Sequence, residues 1–157
     1  GFSDIVAGIE SFKKPVHRLN IVKSAKYGLI FDDTYNSNPK AAKESLDTFK
    51  TLAGNRCKIA VIGDMLELGS IEESAHRELG KCIGKINFTC LVGVGKASKF
   101  AVEEASVLLG KNNCFMVENY KQVLDIVKPH LSKDSALFIK GSRSLHLEKI
   151  VEKLIAS

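Results

Sequence analysis

Three observations predict an α/β fold, a Rossmann-like mixed sheet of about six strands flanked by about five helices. Short β-rich runs alternate with amphipathic helical runs along the chain, the pattern of strand–helix–strand units. Two of the strand-like runs, Ile59-Ala60-Val61-Ile62 and Cys90-Leu91-Val92, are apolar at consecutive positions. Strands covered by helices on both faces carry that pattern, so the sheet should be mostly parallel. Tyr27-Gly28 reads as the tip of a hairpin joining the first two runs, which adds one antiparallel edge.

The elements follow in chain order. A first helical run is expected over 2–12, then strands over 19–24 and 27–33. Over 39–53, Ala42, Leu46, Phe49 and Ala53 step by four, three and four, which makes one apolar helix stripe. Asn38 followed by Pro39 reads as its N-cap and first helical position. After a strand over 57–63, Ile71, Ala75, Leu79 and Cys82 mark a helix over 71–85, with Ser70 and Glu73 at capping-box spacing. A strand over 88–94, a helix over 97–109 and a strand over 113–117 come next. Asn119 and Gln122 have capping-box spacing at the start of a helix over 119–131. A strand over 135–140 precedes the last helix, 145–156, striped by Leu147, Ile150, Val151, Leu154 and Ile155. The 157 residues suit a single domain, with 1–17 left open between core and the linker of a preceding segment.

Composition narrows the function. The chain is 45% hydrophobic and 26% charged, ordinary for a globular protein. No apolar run approaches the ~18 residues of a membrane span, and the N-terminus lacks a signal-peptide layout, so a cytoplasmic location is expected. Cys57, Cys82, Cys90 and Cys114 form no C-x-x-C pair and no zinc-like cluster, and read as buried, reduced thiols. Part of the net charge of +5 is local, with Lys13, Lys14, Arg18, Lys23 and Lys26 close together. No nucleic-acid motif accompanies it, and a phosphate-bearing ligand accounts for it equally well. His17, His130 and His146 have no partner at metal or dyad spacing and read as surface or capping residues. A structural role is the reading for His76, with a reach back to the loop before it.

Ligands of open parallel sheets bind beyond the carboxyl ends of the strands. Three such exits carry unusual residues: Asp32-Asp33-Thr34-Tyr35-Asn36-Ser37-Asn38-Pro39, Gly63-Asp64-Met65-Leu66-Glu67-Leu68-Gly69 and Lys140-Gly141-Ser142-Arg143-Ser144. All three should share one rim. Each also has a plainer reading: Asx turns at Asp33 and Asn36, an ordinary strand exit at Gly63-Asp64, a surface turn at 140–143. Gly93-Val94-Gly95-Lys96-Ala97-Ser98 looks like a phosphate loop but fails the required spacing, because position 90 is Cys and position 97 is Ala.

Taken together, Asp33-x-Tyr35-Asn36-x-Asn38-Pro39, Gly63-Asp64-Met65-x-Glu67-Leu68-Gly69 with His76 downstream, and Lys140-Gly141-Ser142-Arg143 resemble the C-terminal domain of the Mur ligases, from Arg18 to the C-terminus. The resemblance implies an amide ligase using ATP and Mg2+. A substrate carboxylate is phosphorylated to an acyl phosphate, and an amine then displaces phosphate. It implies UDP-MurNAc-tripeptide and D-Ala-D-Ala as substrates, Arg18 reaching ATP and Asp33 bonding the ribose. Tyr35, Asn36 and Asn38 would shape the nucleotide pocket. Asp64, Met65, Glu67, Lys140, Gly141, Ser142 and Arg143 would face the cleft and receive the dipeptide. In this family the phosphate loop and the Mg2+ ligands belong to a central domain. The chain alone is therefore expected to hold no metal, to be inactive and monomeric, and to bind no nucleic acid. Another Mur or folylpolyglutamate-type ligase, and a stand-alone nucleotide-binding module, are the alternatives.

Overall fold

A computed structural model describes residues 19–156; the expected 2–12 helix, the 1–17 linker and Arg18 lie outside the described residues. Strands β1 (Asn20–Ser24) and β2 (Gly28–Asp33) form the antiparallel hairpin, with Ser24 opposite Gly28. Ser24 Oγ accepts the N–H groups of Lys26 and Tyr27 at 3.3 and 3.1 Å, so the turn closes just before the expected tip.

The chain continues through α1 (Pro39–Ala53), β3 (Cys57–Gly63), α2 (Glu72–Gly84), β4 (Phe88–Val94), α3 (Ser98–Leu109), β5 (Cys114–Val117), α4 (Val123–Val127), β6 (Ser135–Lys140) and α5 (Glu148–Ile155). The six strands lie in the order β1-β2-β6-β3-β4-β5, and every pair after the hairpin is parallel. The last strand in sequence thus inserts between β2 and β3. Lys140 comes to lie opposite Asp33 on one side and Ile62 on the other. Strand order alone brings the three motif-bearing exits together.

Consecutive apolar residues serve two cores because strand side chains alternate in direction. Ile59 and Val61 pack with Val123, Val127, Ile150 and Leu154 under α4 and α5. Ala60 and Ile62 pack with Leu46, Phe49, Ile83 and Ala105 under α1, α2 and α3. Phe49 anchors this second layer, edge-on to Phe31 at 4.9 Å and stacked on Phe88 at 5.5 Å.

Four local expectations are corrected. Ser70 and Glu73 form no capping box: a 3-10 turn, Gly69–Ile71, precedes α2, Ile71 is its N-cap, and Glu73 pairs with Arg77 Nε at 2.8 Å. The single helix expected over 119–131 is broken into the 3-10 turn Tyr120–Gln122, the short α4 and the 3-10 turn Lys128–His130. Pro129 explains the end of α4 at Val127, since it has no N–H to donate and crowds the preceding turn. The last helix begins only at Glu148, because His146 adopts a left-handed conformation (φ 52°, ψ 38°) after the 3-10 turn Arg143–Leu145. Finally, all four cysteines are free but only Cys90 is buried. Cys57 opens β3 and Cys114 opens the edge strand β5, where cover is incomplete. Burial, with Cys114 and Cys57 nearby, pushes the Cys90 thiol up to about 12.

Candidate functional site

Asp33 ends β2 buried, at 4% exposure, and its carboxylate makes long-range contacts. Oδ1 accepts the Leu19 N–H at 2.9 Å, while Oδ2 accepts Ser45 Oγ at 2.5 Å and Lys140 Nζ at 2.6 Å. Lys140 is itself 3% exposed and also donates to the Asn36 carbonyl at 3.0 Å. The local Asx bonding that the sequence allowed for Asp33 belongs to its neighbour: Asp32 Oδ1 accepts Thr34 Oγ1 at 2.7 Å. Asn36 does bond locally, accepting the Ser37 N–H at 2.7 Å, and Asn38 caps α1 by accepting the Ala41 N–H at 2.9 Å. A carboxylate offers about four acceptor sites. Three of them are filled by described residues, which leaves one, on Oδ1.

Beside this cluster opens a groove of about 520 Å³, lined by Asp33, Tyr35, Asn36, Asn38, Ser45 and Lys140 among others. A second hollow of about 300 Å³ lies across the same turn, lined by Tyr35, Asn36, Leu66, Glu67, Ser142, Arg143 and Ser144. Tyr35 and Asn36 line both and form a shared wall. The Arg143 guanidinium sits over the Tyr35 ring, 5.4 Å from its centroid. Glu67 has φ +64°, a left-handed conformation that costs an ordinary residue about 1 kcal/mol.

The remaining motif residues build the rim. Asp64 Oδ1 accepts the Ser98 N–H at 2.7 Å and Oδ2 the Lys96 N–H at 2.9 Å, so its carboxylate sits at the N-terminus of α3. Gly95, at φ +106°, makes room: a Cβ there would lie 2.4 Å from Asp64 Oδ2. The turn that looks like a phosphate loop is thus filled by an internal anion. Met65 is fully buried, and its N–H donates to His76 Nε2 at 3.0 Å. Since a backbone N–H only donates, the imidazole carries its proton on Nδ1 and gives it to the Glu72 carbonyl at 2.7 Å. His76 therefore reaches back to the loop from inside the core. Ser142 bonds the same loop twice, through its N–H to the Asp64 carbonyl (3.0 Å) and its Oγ from the Leu66 N–H (3.0 Å). Gly141 faces Gly63, and a Cβ on it would lie 2.9 Å from the Gly63 Cα.

The three exits expected on one rim do meet there. Of the residues proposed from sequence to meet a dipeptide, Glu67 and Arg143 present exposed side chains. Asp64, Met65, Gly141 and Ser142 are engaged within the chain, and Lys140 lies at the other groove. Sequence reasoning missed Ser45, whose signal was a hydroxyl on the inward stripe of α1 between Ala42 and Leu46. Among the described residues, no three His, Cys, Asp or Glu side chains cluster as a metal cage.

Comparison with known proteins follows the same outline. Residues 17–143 match the family model described as Mur ligase, glutamate ligase domain. The chain is 33% identical over 154 residues to the UDP-N-acetylmuramoyl-tripeptide–D-alanyl-D-alanine ligase of Bacillus subtilis (strain 168), covering 98% of this chain and 34% of that protein. A solved structure of MurF from Acinetobacter baumannii matches 100% of this chain and 34% of its own, at TM-score 0.77 and 28% identity. MurF ligase from Thermotoga maritima, solved in complex with ADP, shares the fold at TM-score 0.73 and 24% identity over 90% of this chain and 31% of its own. The chain spans about a third of the length of the relatives it matches. On this match and this sheet, the chain belongs to the Mur ligase family.

Proposed function

We propose that the chain is the nucleotide- and dipeptide-facing domain of a cytoplasmic, ATP-dependent ligase that joins D-Ala-D-Ala to UDP-MurNAc-tripeptide in peptidoglycan synthesis. One observation carries the reading: two hollows of different chemistry share the Tyr35-Asn36 wall at the carboxyl ends of β2, β3 and β6. The ligase named for the Bacillus subtilis relative supports the choice of substrates. Free cysteines suit a reducing compartment, and no described helix is long and apolar enough to cross a membrane.

The residues present fit a nucleoside. The larger groove, about 520 Å³, falls in the range of small-ligand pockets. Asp33 lines it, and the remaining Oδ1 acceptor would suit a ribose hydroxyl, with Tyr35, Asn36 and Asn38 also in the lining. The triphosphate finds no cradle at the Gly95 turn, where the Asp64 carboxylate already sits. Its phosphates and Mg2+ would rely on groups elsewhere in a longer protein, with Arg18 reaching toward them. ATP, when bound, supplies the phosphoryl group that activates the substrate carboxylate, and such chemistry depends mainly on positioning and charge. Across the wall, Arg143 would hold the carboxylate of the incoming dipeptide, and Glu67 closes the far side of that hollow.

The test is an acceptor screen with the longer protein that carries this domain. ADP release should depend on D-Ala-D-Ala and UDP-MurNAc-tripeptide together, and single amino acids should substitute poorly. Equal turnover with glutamate would transfer the chain to the folylpolyglutamate-type branch.

A further inference from the structure

We propose that Lys140 is a positioning residue for the nucleotide, acting through Asp33 and the 34–38 turn rather than touching the dipeptide. The proposal rests on the ligase reading above. Lys140 lines the larger groove and is absent from the lining of the hollow that holds Glu67 and Arg143. At 3% exposure its ammonium cannot reach across the Tyr35-Asn36 wall to a solvent-delivered substrate. Buried ammonium groups need paired acceptors, and Lys140 has two: Asp33 Oδ2 at 2.6 Å and the Asn36 carbonyl at 3.0 Å.

Each bond has a separate consequence. Lys140 and Ser45 together saturate Oδ2, so the rotation of the Asp33 carboxylate is fixed and Oδ1 alone keeps an acceptor for a ligand. The bond to Asn36 ties down the turn that carries Tyr35 and Asn36. Both arise from strand register, because Asp33 and Lys140 are direct partners across the parallel β2–β6 pair. Neutral substitution at Lys140 therefore frees the carboxylate to rotate, which acts on the nucleotide side alone, and loosens the Tyr35-Asn36 wall, which both hollows share.

The experiment is a double-mutant cycle in the longer protein, using Lys140→Met, Asp33→Asn and the pair, with ATP affinity measured by calorimetry and KM measured separately for ATP and D-Ala-D-Ala. Lys140→Met should weaken ATP binding and raise its KM by about tenfold or more, as loss of a charged hydrogen bond does. The KM for D-Ala-D-Ala should rise by a clearly smaller factor, since only the shared Tyr35-Asn36 wall carries the change to that side. In the Asp33→Asn background, Lys140→Met should add clearly less than it does alone, because only its bond to the Asn36 carbonyl is then left to lose. Ser45→Ala keeps both charges and guards against misfolding of the lysine variant. It should raise the ATP KM by a smaller factor and leave the dipeptide KM unchanged. A rise in the dipeptide KM with ATP unaffected, or independent multiplying effects of the two substitutions, overturns the proposal. A wild-type protein that binds ATP but joins no dipeptide ends the ligase reading, and the binding cycle still decides the role of Lys140. A wild-type protein that binds no nucleotide overturns both.

Discussion

Two aspartates leave neighbouring parts of the sheet and meet opposite fates. Asp64, at the end of β3, gives both oxygens to backbone N–H groups of the 95–98 turn. Asp33, at the end of β2, gives its oxygens to a lysine, a serine and one backbone N–H, and faces an open groove. The aspartates differ little in themselves. The adjacent strand decides: β4 is followed by Gly95, which lets a carboxylate close onto a helix end, whereas β6 ends in a lysine that pairs with the carboxylate from the side. One region becomes a sealed staple and the other a site with a spare acceptor.

The largest expected effect comes from breaking the open region. Asp33→Ala leaves the Lys140 ammonium buried without its carboxylate and should cost about 3–5 kcal/mol in urea unfolding. Asp33→Asn combined with Lys140→Met removes both charges and should recover most of that loss. ATP affinity should not recover with it. If stability and affinity return together, the pair serves the fold alone and the contrast with Asp64 disappears.

Breaking the closed region should give the reverse signature. Asp64→Ala strips the cap from α3 and orphans the Lys96 and Ser98 N–H groups, for about 2–3 kcal/mol of stability. The KM for ATP in the longer protein should be unchanged. A loss of nucleotide affinity matching that of Asp33 variants would show that the sealed turn opens to the ligand.

Smaller, and confined to reactivity, is the behaviour of the thiols. Cys90 lies in β4, inside the closed region, with its thiol pushed up to about 12 by burial. A raised folded value means the neutral thiol is favoured by folding, a contribution intact below the unfolded value near 9 and lost as pH rises toward 12. In the native protein at pH 8, mass-resolved alkylation should label Cys57, Cys82 and Cys114 before Cys90. Early labelling of Cys90 would mean that β4 and the turn after it open readily.

These contrasts also mark what could be read from the sequence. Strands β3, β4 and β6 fall at their expected residues, because burial on both faces leaves an uninterrupted apolar run. The α1 stripe and its Asn38 cap are local patterns and are found as expected. Pro129 and His146 broke helices that periodicity alone extended, since an apolar stripe carries no record of a missing N–H or a left-handed residue. At the site, the three exits were legible but their internal contacts were not. The Asp33–Lys140 pair spans 107 positions and exists only because β6 inserts between β2 and β3. Nothing in the spacing of Asp64 and Gly95 announces that one fills the space left by the other.

The smallest expected signal is ATP binding by this chain alone, and it tests the comparison most directly. The open region supplies one free acceptor on Asp33 and an exposed ring, Tyr35, at 38% exposure. A few such contacts must offset the cost of immobilising the ligand, which sets an affinity of about 1 mM, or about −4 kcal/mol. The phosphates contribute little here, because the helix end that would attract them already holds Asp64, and a lone charge contact from Arg18 in water adds at most about 1 kcal/mol. Calorimetric titration should therefore give little heat below millimolar ATP, with adenosine binding about as well as ATP. Micromolar binding of ATP but not adenosine would require the phosphates to be gripped by this chain. Asp64 would then have to leave the Lys96 and Ser98 N–H groups, and the sealed region would be a second, closed state of the same site.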